Sequence, residues 1–238
     1  MLTIKPIGDV AIRIQFSSDI REEVNHQLQA FIQKIEGENV PGIIECIPTY
    51  NTVAIYYNPN LIEYRNLVQL VETMYEKPSL VQSVRPTVFE IPVLYGNDYG
   101  PDLQFVADYH NITIDEVIDE HANKEYLIFM MGFVPGFPYL GGLSENVSVP
   151  RLENPRPKVA SGSVGIGGKQ TGIYPVSVPS GWRIIGRTPL QLINMNKMPP
   201  TFLKSGNYIK FLPVSEKEYI EIENLVYRNQ YEVKTYYK

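Results

Sequence analysis

Cysteine is nearly absent: Cys46 is the only one among 238 residues. No intrachain disulfide can form, which fits a reducing compartment. Positive charge is also scarce. Lys and Arg together number 21 against 26 Asp and Glu, a net charge of −5. That balance argues against a general nucleic-acid binder, whose footprint is a basic face. The three histidines show no metal-ligand spacing, so no metal site is expected. A usable membrane-spanning run is missing too. The uncharged window 126–144 approaches the needed length, but its prolines and glycines would leave backbone groups unpaired in lipid. The opening MLTIKPIGDVAIRIQF alternates instead of forming a continuous apolar stretch, so no signal peptide is expected and the chain reads as cytoplasmic. No internal repeat or low-complexity tract is present.

What the chain does have is an apolar content of 44%, enough for a sizeable core. Val10, Ile12, Ile14 and Phe16 alternate with polar neighbours as in a half-buried strand. A helix follows, capped by Ser18 or Asp19 with Glu22 three residues beyond, and striped by Ile20, Val24, Leu28, Phe31, Ile32 and Ile35. GIIECI (42–47) and TVAIYY (52–57) read as strands, residues 64–74 as a second helix, and TVFEIPVLY (87–95) as a further strand. Strand, helix, strand, strand, helix, strand is the split βαβ order of a ferredoxin-like domain. Beyond residue 96 two short helices (101–110 and 114–122, with a Thr113/Glu116 capping box) precede the apolar strand YLIFMMGF. Dense Gly and Pro from 134 to 200, with short β-prone pieces between, suggests a β-barrel or sandwich. YIKFLPV (208–214) and a helix opened by a Ser215/Glu218 capping box close the pattern. The boundary is expected near Ser79–Pro86, giving residues 1–82 and 83–238 as two domains of an α+β protein.

Two segments stand out chemically. GFVPGFPYLGGL (132–143) holds four glycines, two prolines and three aromatics with no charge. It must be an irregular loop that nevertheless carries Phe133, Phe137 and Tyr139. GSVGIGGKQTG (162–172) resembles a phosphate loop only superficially. Ser163 stands where the first glycine is needed, and Gln170 where Ser or Thr must follow Lys169. Neither a dinucleotide fingerprint nor a nucleophile elbow is complete. Between Pro150 and Arg187 lie six bases, Arg151, Arg156, Lys158, Lys169, Arg183 and Arg187, and one acid, Glu153. A basic segment in an acidic protein points to a local anion site or to a solvated face. Residues for self-contained catalysis are not evident, which suggests an active site completed by a partner.

The run GFVPGFPYLGGL, PRLENPRPKV, GSVGIGGKQTGIYP and SGWRIIGRTPL, in that order, resembles the allophanate hydrolase subunit 1 family. Its members are described as the B subunit of 5-oxoprolinase and as Kip-type inhibitors of a sporulation histidine kinase. The likeness runs from about Ile91 to Val214. Such proteins usually read VPAGSVGIAG and SPGGW, where this chain has VASGSVGIGG and VPSGW. The resemblance implies a ferredoxin-like domain followed by a cyclophilin-like barrel. It further implies one component, inactive alone, of an ATP-hydrolysing 5-oxoprolinase acting with the C subunit, a second barrel, and with the A subunit. The alternative it carries is a binding module that inhibits a sensor histidine kinase; a prolyl isomerase rests on barrel analogy alone. Within the matched motifs, Arg156, Lys169, Arg183 and Arg187 are candidates to bind a carboxylate or phosphoryl group. Ser163 and Gln170 would hydrogen-bond the lactam, and His121 would act as a proton shuttle or as a structural hydrogen-bonder. Phe133, Phe137 and Tyr139 would line the barrel groove or pack against the C subunit. ATP would be used in the assembled complex.

Overall fold

The structure, a computed structural model, describes residues 2–76, 85–132 and 134–238. The chain divides into two compact units, Met1–Arg85 and Pro86–Lys238. Most of the expected boundary segment lies outside the described residues.

The first unit runs β1 (Thr3–Ile7), β2 (Ala11–Gln15), α1 (Glu22–Gly37), β3 (Ile43–Pro48), β4 (Thr52–Tyr57) and α2 (Tyr64–Glu76). Its antiparallel sheet has the order β1-β2-β4-β3. Period-two alternation sends Ile12, Ile14, Val53 and Ile55 to one face. There they pack against Leu28, Phe31 and Ile35 of α1 and Leu67, Val71 and Met74 of α2. Cys46 belongs to this core, and burial pushes its thiol up to about 12. Two expectations are corrected here. The residue before α1 is Arg21, with no side-chain cap; Ser17 instead accepts the backbone N–H of Asp19. And the strand 87–95 is not in this sheet. The place beside β2 is taken by β1, which a turn through Gly8 at φ 61° brings back as a hairpin. A local hairpin closes at far less entropic cost than a strand arriving from beyond α2.

The second unit contains β5 (Thr87–Tyr95), α3 (Leu103–His110), α4 (Ile114–Ala122), β6 (Glu125–Met131), β7 (Pro138–Leu140), β8 (Arg156–Val159), β9 (Ser163–Gly167), β10 (Gln170–Ile173), β11 (Val178–Ser180), β12 (Arg183–Arg187), β13 (Tyr208–Pro213), α5 (Glu216–Tyr227) and β14 (Thr235–Tyr237). Strands in the order β12-β9-β10-β7-β6-β13-β5 close into a barrel through a β12–β5 pairing. The β5–β13 ladder is parallel and the others are antiparallel. Inside it, Ile91, Val93, Tyr126, Ile128, Leu140, Val164, Ile166, Ile173, Ile185 and Phe211 form one core. β14 covers the first half of the β5 edge and β12 the second. The capping boxes of α4 and α5 form as their spacing predicts. Among the described residues no helix is long and apolar enough to cross a membrane.

Candidate functional site

Asp102 organises the charged end of β12. It precedes α3, yet its carboxylate does not cap that helix. Instead it accepts from both Nη atoms of Arg156, each at 2.8 Å, and from the backbone N–H of Ile184 at 2.6 Å. Arg183 approaches the same carboxylate at 4.0 Å and lays its guanidinium 3.6 Å above the Phe105 ring. The Asp102 side chain is only 8% exposed, so this fork of donors compensates a charge withdrawn from water. The hydrogen bond to Asp102 raises the Arg156 pKa further against the opposing effect of burial.

Arg187, at the far end of β12, is different. No carboxylate lies within 4 Å of it among the described residues. Its guanidinium sits 5.4 Å from the centre of the Tyr99 ring, which packs 4.9 Å from Tyr219. Its Nε is buried without a hydrogen-bond partner. The residue as a whole is half-buried, so solvent reaches part of it. Ser163 faces Arg187 across the β9–β12 ladder but is itself buried.

Lys169 is not part of this group. It is exposed at the β9–β10 turn and donates to Glu145 at 2.6 Å. Gln170 starts β10 and is half-buried. The glycine-rich segment around them is a barrel hairpin. Its backbone groups pair Gly167 with Gln170 and Gly165 with Gly172, so they are not arranged to cradle a phosphate. Gly167 is required for another reason: a Cβ there would come within 2.4 Å of the Trp182 indole nitrogen.

That indole belongs to an aromatic cluster. Trp182, Phe137 and Tyr174 meet edge to face, with Phe137 5.3 Å from Tyr174 and 5.9 Å from Trp182. Val159 and Ile184 complete the cluster, and the half-buried Tyr139 packs against it. The Tyr174 and Ser180 hydroxyls are hydrogen-bonded to each other. Arg151 lies over the Trp182 ring at 5.8 Å. The expectation that Phe137 faces a groove or a partner is corrected: it is 8% exposed and anchors this internal cluster. Phe133 lies outside the described residues.

His121 is placed where a shuttle could not work. It is fully buried, stacked 4.5 Å from Phe211 inside the barrel. The Thr171 hydroxyl donates to the Gly165 carbonyl, so it must accept from His121 Nε2–H at 2.8 Å. Nδ1 then accepts from the Tyr95 hydroxyl at 2.8 Å. This is a satisfied neutral imidazole, and burial lowers its pKa to about 3. Its role is to tie α4 to β5 and β10.

Sequence reasoning missed Asp102, Tyr99 and Tyr219. Asp102 follows Pro101 and resembles an ordinary helix start; its partners are 54 and 82 residues away. Among the described residues no three His, Cys, Asp or Glu side chains gather as for a metal ion.

With this arrangement in view, the chain belongs to the family described as carboxyltransferase domain, subdomain C and D, whose model matches residues 2–203. Within that family it is similar to the B subunit of 5-oxoprolinase from Bacillus subtilis, at 42% identity over 91% of this chain and 94% of that protein. It is also similar to the crystal structure of TTHA0988, with a TM-score of 0.76, 29% identity and 86% of this chain covered. This chain spans only 40% of TTHA0988. A urea amidolyase of Lachancea kluyveri is 23% identical over 91% of this chain, which corresponds to 14% of that protein.

Proposed function

We propose that this chain is the B subunit of a cytoplasmic ATP-dependent 5-oxoprolinase. The complex would open 5-oxo-L-proline to L-glutamate, with ATP hydrolysed in the assembly alongside the C subunit, a second barrel, and the A subunit. The observation that carries this reading is the 42% identity to a 5-oxoprolinase B subunit across nine-tenths of both chains. We read the two units as a ferredoxin-like domain, residues 1–82, and a cyclophilin-like barrel, residues 83–238. In the first, β4 lies between β2 and β3, which α1 connects, and this supports the split βαβ description.

The chemistry suits a cation. A γ-lactam resists hydrolysis, and phosphorylating its amide oxygen would make a leaving group while building negative charge. Of the four proposed anion contacts, Arg156 and Arg183 share Asp102 and Lys169 has Glu145. Arg187, half-buried at a strand end, has no carboxylate within 4 Å among the described residues. It is therefore our choice for meeting a substrate carboxylate or a phosphoryl group, with its forked donors matched to paired oxygens. Ser163 and Gln170 remain secondary contacts in this reading, and His121 is assigned no proton transfer. The test is ATP-dependent glutamate release from 5-oxoproline by the three purified subunits, each omitted in turn. Release only with all three supports the reading, and robust turnover by this chain alone would sink it.

A further inference from the structure

The bare face of the four-stranded sheet carries an arrangement that an isolated surface would be better without. Ladder register sets Lys5 of β1 directly opposite Arg13 of β2, and both are exposed. Neither has a carboxylate within 4 Å among the described residues. Like charges facing across a ladder are destabilising. The acid on this face, Glu45, is on β3, with β4 standing between it and β2. At a strand spacing of about 4.8 Å it is roughly 10 Å from Arg13, beyond ion-pair reach. Apolar side chains continue the same rows. Arg13 is followed by Ala54 and Ile47, and Ile7 by Ala11 and Tyr56. Ile7 is 45% exposed, Tyr56 39% and Ile47 38%. Beside them a groove of about 510 Å³ opens between Val10, Ile44, Glu45 and Tyr56.

We propose that this face docks a partner protein presenting two carboxylates beside apolar side chains, and that the partner is the second barrel of the complex, its C subunit; the choice of partner rests on the function proposed above. The charge pattern selects the chemistry. A second copy docking through this same face would bring one strand carboxylate, Glu45, for two cations. An anionic membrane would meet a chain of net charge −5, and the cations that the described strands bring to this face are Lys5 and Arg13. A protein surface with a carboxylate pair relieves the Lys5–Arg13 repulsion and covers the apolar rows together.

The experiment compares wild type with Lys5→Glu/Arg13→Glu and with Lys5→Gln/Arg13→Gln. Each is co-purified with the C and A subunits, and affinity for the C subunit is titrated at low and high salt. Charge reversal should weaken binding by roughly tenfold to a hundredfold, and neutralisation less. The melting temperature should not fall, because both positions are exposed. Assembly of the reversed variant at wild-type affinity overturns the proposal. So does wild type that self-associates through this face, or that binds phosphatidylserine vesicles while ignoring the C subunit. A salt-sensitive complex of the two barrels that yields no glutamate would instead count against the proposed function and leave the docking face standing.

Discussion

The sheet of the first unit hides one face under α1 and α2 and leaves Ile7, Ile47 and Tyr56 in solvent on the other. The barrel of the second unit closes on itself and keeps even a histidine dry, hydrogen-bonded at both ring nitrogens. An open sheet can tolerate a repelling pair such as Lys5 and Arg13 because water screens it. A closed barrel has no such latitude, and each polar group inside or under it must find a partner. Asp102 and His121 obey that demand. Arg183 and Arg187 both keep a buried Nε without a hydrogen-bond partner, but Arg183 has Asp102 at 4.0 Å and Arg187 has no acid so near among the described residues, which is why Arg187 is singled out.

The sharpest way to break the contrast is Asp102→Ala. It leaves Arg156 and Arg183 without their shared acid and the Ile184 N–H without an acceptor. A loss of about 3 kcal/mol is expected, near the lower end for a broken buried pair because Arg156 is partly exposed. Urea unfolding measures it, and a loss under about 1 kcal/mol would show that the carboxylate is not the organising group.

Acid tests the dry histidine. In the folded state the His121 pKa is about 3, against about 6.5 in the unfolded chain. Well above about pH 6.5 both states are neutral and His121 adds no pH dependence. As pH falls from about 6.5 toward 3 the unfolded chain takes up a proton that the fold refuses. Stability therefore drops by up to about 1.4 kcal/mol per unit. Between about pH 7 and 5 wild type should lose about 2 kcal/mol more than His121→Gln. Parallel losses in the two proteins would acquit His121.

Arg187→Ala should cost turnover before it costs folding. A charged contact to a buried partner is worth about 2–5 kcal/mol, so the reconstituted enzyme should slow by roughly thirtyfold or more. Glu153→Ala should change little. A sharp fall in melting temperature with normal turnover per folded molecule would make Arg187 structural. The smallest effect belongs to the open sheet: Arg13→Thr removes a like-charge neighbour from a strand. Stability should stay level or rise by a few tenths of a kcal/mol; a clear loss would mean Arg13 has a stabilising partner.

Local features were legible from the residues. The Thr113/Glu116 and Ser215/Glu218 boxes, the stripe of α1 from Val24 to Ile35 and the alternation of Ile12 and Ile14 in β2 involve neighbours a few positions apart, so their physics is carried by spacing; Ile20 and Val10, expected in those patterns, precede α1 and β2 and are exposed. The family motifs were legible as well, and they point to one place: Gly167 is small because Trp182 lies on it, and Phe137 is aromatic because it packs there too. The meaning of those aromatics was not legible. Their pattern fits an exposed anchor as well as a buried cluster, and only the fold decides which.

The sequence by itself determined the mixed α and β composition, most of the elements and the family. Each of these follows from short-range periodicity, caps and unusual ordered motifs. The tertiary structure alone decided which strand joined which sheet, since β1 outcompeted 87–95 through a cheaper closure. It alone decided the fate of the charges. Whether an arginine is compensated depends on an acid brought from 54 residues away for Arg156, and on the absence of one within reach for Arg187 among the described residues. Coulomb interactions follow distance in space, and spacing along the chain does not contain that distance.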